Sequence, residues 1–309
     1  MRFDVTVLGC GAATPTERYQ PTSQILNISE KWYLLDAGEG VQIALRSQRV
    51  PFQKIEQVFI SHMHGDHVLG LPGLIGSMNL LGRRRPLILH GPVVLERWLM
   101  ECLRLTSTYL NFELEFSVNN QDQIDTCWLD GDIQVLSAPV KHRVEAYGYR
   151  FNWTPKLLNL KKQQVEAFDL TRSEVIQLKN GQNVQRENGQ LLIVKEMCYT
   201  LNPGLSYVFS GDTAPCVSLD ELAEGANLLY HEATFMESLS IRAKQTGHST
   251  SRQAANTALK AGVDTLLLGH FSSRYRSLKG LLDEAFEVFE SVQLAEEKTR
   301  YDVQSFCRI

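Results

Sequence analysis

The densest run of chemically active side chains in the sequence is His62-Met63-His64-Gly65-Asp66-His67, which follows a strand predicted at residues 58–60. In an extended segment, His62 and His64 project to the same side because side chains alternate along a strand. A turn at Gly65 can direct Asp66 and His67 to a second point, so one run can supply two adjacent metal positions. Imidazole and carboxylate ligands suit zinc, and also manganese or iron. The alternative is a chance cluster of polar residues in a loop.

Three residues elsewhere in the chain can add ligands, because the run alone cannot complete two coordination shells. His142, Asp212 and His270 each lie where a predicted strand gives way to a loop. An aspartate carboxylate has two oxygens and can therefore contact two cations. For each residue taken alone, an ordinary hydrogen-bonded polar side chain is the alternative. The cluster upstream favours the metal site.

The predicted elements bring these residues to the ends of strands. Apolar runs and turn signals predict strands at 3–8, 24–28, 32–35, 58–60, 87–89, 112–116, 133–139, 147–151, 207–209, 227–230 and 265–268, and helices at 41–47, 69–81, 93–105, 251–261 and 278–292. Three strands of the last third lead into Gly211-Asp212, His231-Glu232 and Gly269-His270. Because α/β folds carry their chemistry at the ends of strands, the pattern predicts an α/β fold.

Residues 153–205 differ in character from the rest of the chain. They contain seven Lys/Arg and five Asp/Glu, with turn signals at Asn180-Gly181 and Asn188-Gly189 and no sustained apolar period. This composition predicts an insertion or a protruding hairpin arm. A solvated loop region without a binding role is the alternative.

Composition restricts the class of protein. A net charge of -4 argues against a protein that coats nucleic acid or an anionic membrane by charge alone. The six cysteines form no Cys-x-x-Cys pair, which is typical of buried thiols in a reducing compartment. The N-terminus has no signal-peptide pattern, and the uncharged stretch 68–82 is too short to span a bilayer. We therefore expect a cytoplasmic protein without a membrane partner.

The metal-type residues and their spacing resemble the metallo-β-lactamase superfamily, and further segments resemble the ribonuclease Z family. Those segments are Gly70-Leu71-Pro72-Gly73-Leu74, Phe209-Ser210-Gly211-Asp212-Thr213, His231-Glu232-Ala233-Thr234, Gly247-His248-Ser249-Thr250 and Ser272-Ser273-Arg274-Tyr275. The likeness covers nearly the whole chain. It implies an αββα sandwich, a single metallo-β-lactamase-fold domain over residues 1–309 with an inserted arm at about 153–205, and a homodimer.

The resemblance also implies the cofactors and the roles of the site residues. Two Zn²⁺ ions per subunit are expected, with Mn²⁺ or another divalent metal as the alternative. The implied ligands are His62, His64 and His142 for the first ion, Asp66, His67 and His270 for the second, and Asp212 for both. Such a pair of ions supplies hydroxide at neutral pH, and Asp66 is placed to accept a proton from the water.

His248 is the implied proton donor to the leaving oxygen, with Glu232 orienting it and raising its pKa. The segment His248-Ser249-Thr250 also predicts a helix N-cap before the helix at 251–261, and the two interpretations are compatible. His231 is expected to support the site, and His90 is expected to be structural.

The expected substrate is a tRNA precursor, cut on the 3′ side of the acceptor stem. Two departures from the family pattern weaken that assignment. Glu17 in the loop Pro15-Thr16-Glu17-Arg18-Tyr19-Gln20 replaces a lysine, and residues 153–205 lack a Gly-Pro-rich element. Cys10 replaces a threonine, a change expected to be neutral. Arg83-Arg84-Arg85 is a candidate basic patch, with a solvated loop as its alternative.

Three other functions remain open from the sequence. The same site can act on another RNA, on a small phosphodiester or on a cyclic nucleotide. An inactive metal-dependent RNA-binding protein is a second alternative, although the complete ligand set argues against it. A hydrolase of carbon esters or lactams is the third, and the match along the whole chain argues against it.

Overall fold

The computed structural model describes residues 2–155, 158–200 and 204–305, without the side chain of residue 200. Cys307 and a few residues of the predicted arm therefore lie outside the described residues. The chain divides into two compact units. The first unit comprises Met1–Trp128, Val135–Phe151 and Ser206–Ile309, and the second comprises Leu129–Gln134 and Asn152–Leu205. The second unit includes the segment predicted as an insertion, and its role as an arm stays a prediction.

The described residues contain the following elements. The strands are β1 (Phe3–Gly9), β2 (Ser23–Ile28), β3 (Lys31–Leu35), β4 (Ile55–Phe59), β5 (Leu87–Gly91), β6 (Leu114–Val118), β7 (Asp125–Asp130), β8 (Ile133–Pro139), β9 (Tyr147–Trp153), β10 (Leu158–Leu160), β11 (Val184–Gln185), β12 (Leu191–Leu192), β13 (Cys198–Thr200), β14 (Leu205–Phe209), β15 (Leu228–Glu232), β16 (Thr265–Gly269), β17 (Val292–Leu294) and β18 (Thr299–Asp302). The α-helices are α1 (Val41–Ser47), α2 (Gly65–Val68), α3 (Leu71–Leu80), α4 (Leu95–Leu105), α5 (Lys162–Phe168), α6 (Arg172–Lys179), α7 (Val194–Met197), α8 (Val217–Leu222), α9 (Ser240–Thr246), α10 (Ser251–Ala261) and α11 (Lys279–Phe286).

Two seven-stranded sheets carry the fold. The first has the order β18-β1-β2-β3-β4-β5-β6, and the second has the order β17-β16-β15-β14-β9-β8-β7. In the first sheet, β3 to β6 run parallel, and helices α1, α3 and α4 lie between successive strands of this group. In the second sheet, β14 to β17 run parallel, with helices α8, α10 and α11 between them. Parallel neighbours require such crossover connections.

Alternation along β3 and β4 places different side chains on the two faces of the first sheet. On one face, Leu34 and Val58 join a buried cluster with helix residues such as Leu45, Leu74 and Leu99. This face is therefore covered by helices. The second sheet has helices of its own, because α10 packs on β15 and β16, and α11 packs on β17.

The opposite face of the first sheet packs on the second sheet through aromatic rings. The ring of Phe59 on β4 lies 5.3 Å from that of Tyr149 and 5.1 Å from that of Phe151, both on β9. Tyr33 on β3 lies 5.7 Å from Phe151. The order of layers is therefore helix, sheet, sheet, helix, and the predicted αββα sandwich is confirmed.

The second unit has a small core of its own. Strand β10 pairs with β13, and β11 pairs with β12, both antiparallel. Gly189, with φ of 83°, lies in the turn of the β11-β12 hairpin, as the Asn188-Gly189 pair predicts. The buried residues of this core are Leu178, Val184, Leu192, Met197 and Cys198. The segment therefore holds more regular structure than its composition indicates.

The predicted helix at 278–292 is wrong at its C-terminal end. Helix α11 ends at Phe286, and residue 292 begins β17, which extends the second sheet. Strands β7 and β18 were not predicted either, and both lie at a sheet edge. Such short edge strands carry little apolar signal of their own.

Among the described residues, no helix is both long and apolar enough to cross a membrane.

The aromatic layer between the sheets leads to a stability prediction. Phe59→Ala should lower the free energy of unfolding by about 3–5 kcal/mol, because the buried ring would leave a cavity between two sheets. Urea unfolding followed by fluorescence measures this change. The control is Phe286→Ala, whose ring is 55% exposed, and it should change stability by less than about 1 kcal/mol. Equal effects of the two substitutions would contradict the proposed layer.

Candidate metal centre

Strand β4 and helix α2 position the histidine cluster. The chain leaves β4 through two buried residues and reaches His62, whose backbone forms a bridge with Ala146. His64 is the N-cap residue of α2, and Asp66 and His67 lie within that helix. An extended segment followed by one helical turn therefore presents two groups of side chains in different directions, as the spacing predicts.

The first group of donor atoms consists of three histidines and one aspartate. His62 Nε2 lies 2.9 Å from His64 Nδ1, and His142 Nε2 lies 3.2 Å from the same atom. Asp212 Oδ2 lies 3.6 Å from His62 Nε2. Burial lowers the pKa of His62, His64 and His142, so their imidazoles are neutral at pH 7 and can offer lone pairs to a cation.

The second group adjoins the first through the same aspartate. His67 Nε2 lies 3.4 Å from His270 Nε2, and Asp66 Oδ2 lies 3.5 Å from His67 Nε2 and 3.4 Å from His270 Nε2. The second oxygen of Asp212, Oδ1, lies 3.4 Å from His67 Nε2 and 3.3 Å from His270 Nε2. Asp212 therefore directs one oxygen to each group.

These distances can be compared with the size of a coordination shell. Bonds of about 2.0–2.1 Å in a zinc tetrahedron put neighbouring donor atoms about 3.3–3.4 Å apart. Separations in the second group are 3.3–3.5 Å, and those in the first scatter around the same value. The donor set is nitrogen-rich with carboxylates, which suits zinc and also manganese or iron. The residues therefore fit two divalent cations, while the number and identity of the ions stay predictions.

Asp36 fixes the orientation of His67. The buried carboxylate of Asp36 lies 2.7 Å from His67 Nδ1 and accepts hydrogen bonds from the backbone and the hydroxyl of Ser61, both at 2.7 Å. The Ser61 hydroxyl oxygen lies 3.0 Å from His62 Nδ1. With Nδ1 bonded in this way, each ring turns Nε2 towards the centre. Partners of this kind orient metal ligands and raise their basicity.

The other ligand histidines have equivalent partners. His142 Nδ1 donates to the carbonyl oxygen of Gly247 at 2.7 Å, and His270 Nδ1 lies 2.9 Å from Thr234 Oγ1. Gly247 ends α9 with φ of 73°, and a Cβ atom there would lie 3.1 Å from His142 Nδ1. Glycine is therefore favoured at this position both by its backbone angle and by the close approach of the imidazole.

An ion pair between the partly buried His248 and the buried Glu232 lies beside the two groups. His248 Nδ1 lies 2.8 Å from Glu232 Oε1, and the carboxylate also accepts from the backbone of Thr213 and from the backbone and hydroxyl of Thr234. Burial lowers the pKa of His248, but the charge and hydrogen bond of Glu232 outweigh it and raise that pKa to about 9. Glu232 therefore favours the protonated form of His248, which is the form that a proton donor needs.

A cavity of about 500 Å³ opens onto the centre, and its wall includes Asp66, Asp212, His248 and His270. Three arginines also line it: Arg143, Arg242 and Arg274. Arg274 packs over the ring of Phe235 at 4.8 Å. Glu39 also lines the cavity, so its three carboxylates balance the three arginines, and two bound cations would make the wall favour an anionic substrate.

The structure brings together all nine residues predicted for the site. The seven predicted ligands form the two groups, and His248 and Glu232 form the pair beside them. Their catalytic and ligand roles stay predictions. A donor atom of His248 also lies within 4.8 Å of donors on Asp212 and His270, so His248 could itself contribute to a metal group. Its hydrogen bond to Glu232 favours the role of proton donor.

Sequence reasoning did not identify several residues that contact the site, among them Asp36, Ser61, Thr234 and Gly247. Asp36 was identifiable in principle, because it follows β3 just as Asp212 follows β14. The remaining histidines are buried. His90 is stacked on Phe59 at 4.4 Å, and His231 Nδ1 donates to the backbone carbonyl of Glu232 at 2.7 Å.

The regions expected to contact RNA give a mixed result. Arg83 is buried and donates to the carbonyl oxygens of Arg85 and Pro86, so the predicted patch of three surface arginines is wrong for Arg83. Glu17 is exposed, and Arg18 donates to the carbonyl oxygen of Arg276 at 2.8 Å. The N-cap prediction before 251–261 is confirmed, because the Thr250 hydroxyl accepts from the backbone of α10.

Comparisons with known proteins bear on the family and the fold of the chain. A family model described as anti-Pycsar protein Apyc1 matches residues 3–253. A protein of Porphyromonas gingivalis named ribonuclease Z is 37% identical over 301 residues, covering 97% of this chain and 99% of the relative. The crystal structure of the short form of human tRNase Z has a TM-score of 0.71 at 24% identity, covering 97% of this chain and 99% of the other. The metallo-β-lactamase-fold protein YhfI of Bacillus subtilis has a TM-score of 0.69 at 19% identity, and the match covers 98% of this chain and 100% of YhfI.

The Asp36 contact leads to a prediction about metal affinity. Asp36→Asn should weaken binding of the second cation by about 10–100-fold, because the amide no longer provides the carboxylate that orients His67. Competition with a chromophoric chelator measures the affinity of each ion. Asp122→Asn, at an exposed loop position, is the matched control and should bind both ions as the unmodified protein does. Unchanged affinity in Asp36→Asn would show that the contact does not support the site.

Proposed function

Because the chain belongs to the ribonuclease Z family, we propose that it is a metal-dependent endoribonuclease that removes 3′ trailers from tRNA precursors. The observation that carries the proposal is the pair of donor groups sharing Asp212, with the His248–Glu232 pair beside them. One arrangement thus offers sites for two cations, an anion-binding cavity and a proton donor. The name of the Porphyromonas relative supports RNA as the substrate.

The residues would hold two Zn²⁺ ions, or Mn²⁺ or another divalent metal in their place. His62, His64 and His142 would hold the first ion, Asp66, His67 and His270 the second, and Asp212 both. When bound, such a pair supplies hydroxide at neutral pH and offsets the negative charge of the phosphate oxygens.

The other steps belong to residues of this chain. Asp66 accepts a hydrogen bond from the backbone of Ala13 at 2.7 Å, which fixes its carboxylate towards the cavity. It is the proposed acceptor of the proton that the attacking water loses. His248 donates a proton to the leaving 3′ oxygen, and Glu232 stabilises the protonated ring. The products are a 3′ hydroxyl on the tRNA and a 5′ phosphate on the trailer.

A second candidate keeps the site and changes the substrate to another RNA, a small phosphodiester or a cyclic nucleotide. It is favoured by Glu17, which places an exposed negative charge on a loop expected to contact RNA. The proposal also includes a homodimer and a cytoplasmic location. The first rests on the family resemblance, and the second rests on the pattern of cysteines.

Cleavage of a precursor tests the proposal directly. The zinc-loaded protein should cut a tRNA precursor once, at or just past the discriminator base, and a chelator should abolish the cut. Asp66→Ala should abolish cleavage and lower the affinity for one of the two ions, because the variant lacks a metal ligand and the proton acceptor. The cut is mapped to the nucleotide on a sequencing gel. Turnover of bis(p-nitrophenyl) phosphate without any cut in the precursor would favour the second candidate.

The proton donor gives a separate prediction. His248→Ala should lower kcat by about 10²–10⁴-fold while both ions remain bound. Gln245→Ala, an exposed position just C-terminal to Lys244, is the control and should keep the wild-type rate. Metal content is measured by atomic absorption. A wild-type rate in His248→Ala would exclude this residue as the acid.

The pH profile tests the role of Glu232. Activity should fall as pH rises through the pKa of His248, because only the protonated ring donates. Glu232 raises that pKa to about 9, and bound cations would lower it. Glu232→Gln removes the carboxylate charge, so the alkaline limb of kcat should move to lower pH. If the alkaline limb of Glu232→Gln lay at the same pH as that of the wild-type protein, the proposed effect of Glu232 on His248 would be contradicted.

A further inference from the structure

A second cavity, of about 570 Å³, adjoins the metal centre. His248 and Arg143 belong to the walls of both cavities, and His142, a predicted metal ligand, also lines the second. The proton donor therefore stands between the metal cavity and a further space large enough for a nucleotide. The proposed chemistry does not use that space.

The wall of the second cavity is positively charged. Lys141, Arg143 and Lys244 line it, and no carboxylate among the described residues does. All three side chains are exposed, and none forms an ion pair with the residues that the structure describes. Because the chain as a whole carries a net charge of -4, three unpaired cations around one cavity mark a local site for an anion.

Hydrogen bonds hold the segments that carry these cations next to the metal centre. Lys141 and Arg143 flank His142 in the sequence, and the carbonyl oxygen of Lys141 accepts from the backbone of Ala214 at 2.8 Å. Lys244 lies on α9, and the bond from His142 to Gly247 ties the end of that helix to the same ligand. The fold therefore places the backbone of all three residues beside the predicted metal ligand His142.

The cavity also has an apolar side. Ile241 on α9 is 77% exposed, and Ala214 lies in the same wall. An exposed aliphatic side chain beside three cations suits a ligand that combines a phosphate with a ribose or a base. A free inorganic anion would leave this apolar surface unused.

We infer that the second cavity holds the nucleotide on the 5′ side of the cleaved bond, with that nucleotide's own 5′ phosphate against Lys141, Arg143 and Lys244. The inference rests on the proposed function. His248 donates its proton to the leaving 3′ oxygen, which belongs to this nucleotide, so the nucleotide must lie against His248. The three cations then bind the phosphate one linkage upstream of the cut. This contact makes a polynucleotide bind more tightly than a single phosphodiester.

The test uses tRNA precursors in which one phosphate is replaced by an uncharged methylphosphonate. The replacement is made one linkage upstream or one linkage downstream of the cut, and kcat/KM is measured for each. With the wild-type protein, the upstream replacement should lower kcat/KM about tenfold, and the downstream one should lower it about twofold or less. A larger loss from the downstream replacement would overturn the inference, because the cations would then face the trailer.

The variant Lys141→Gln/Lys244→Gln completes a double-mutant cycle. Its kcat/KM on the unmodified precursor should already be about tenfold lower than that of the wild-type protein. The upstream replacement should then lower the kcat/KM of the variant by only about twofold. Lys54→Gln, an exposed lysine away from both cavities, is the control and should keep the tenfold wild-type sensitivity. Lys244→Gln alone should give an intermediate loss, which guards against misfolding of the double variant.

Equal sensitivity to the upstream replacement in the wild-type protein and in the double variant would overturn the inference while the proposed function stands. Failure of the proposed function looks different. In that case the wild-type protein would turn over bis(p-nitrophenyl) phosphate and leave the unmodified precursor intact, and the inference would fall with it.

Discussion

The buried carboxylate of Asp36 is the contact on which the candidate centre depends. It lies directly after β3 and accepts hydrogen bonds from the backbone and the hydroxyl of Ser61, which follows β4. It also contacts Nδ1 of His67 on α2. A carboxylate without water is costly to bury unless several donors satisfy it. Here the donors come from the segment that carries the histidine cluster. The same bonds that stabilise the charge therefore hold the cluster in place.

The two sheets supply the rest of the geometry. His62, His64 and His67 follow a strand of the first sheet, whereas Asp212 and His270 follow strands of the second. The ligand atoms can meet only if the sheets are held at a fixed separation. The aromatic layer around Phe59 provides that separation, since its rings pack between β4 and β9. Core packing thus determines distances within the site.

Much of the site was predictable because its signals are local. Metal-type residues at the ends of apolar strands identify His142, Asp212 and His270 without any knowledge of contacts. The residues that the sequence did not identify act across the fold. Thr234 contacts His270, which lies 36 positions away, and Arg83 is buried against the ring of Phe112 and donates to the carbonyl oxygen of Gln53, 30 positions away. In the same way, pairing with β16 makes residue 292 the start of β17, whereas the apolar pattern alone favours a helix up to that residue.

The hydroxyl of Thr234 joins the proton donor to the metal ligands. It lies 2.7 Å from the Glu232 carboxylate and 2.9 Å from His270 Nδ1, and its single hydrogen can serve only one acceptor at a time. When His270 Nδ1 carries a proton, that hydrogen is committed to Glu232. One threonine hydroxyl therefore contacts both the carboxylate that orients the proposed proton donor and the imidazole of a predicted metal ligand. The two parts of the site share this polar contact, and neither part can lose it alone.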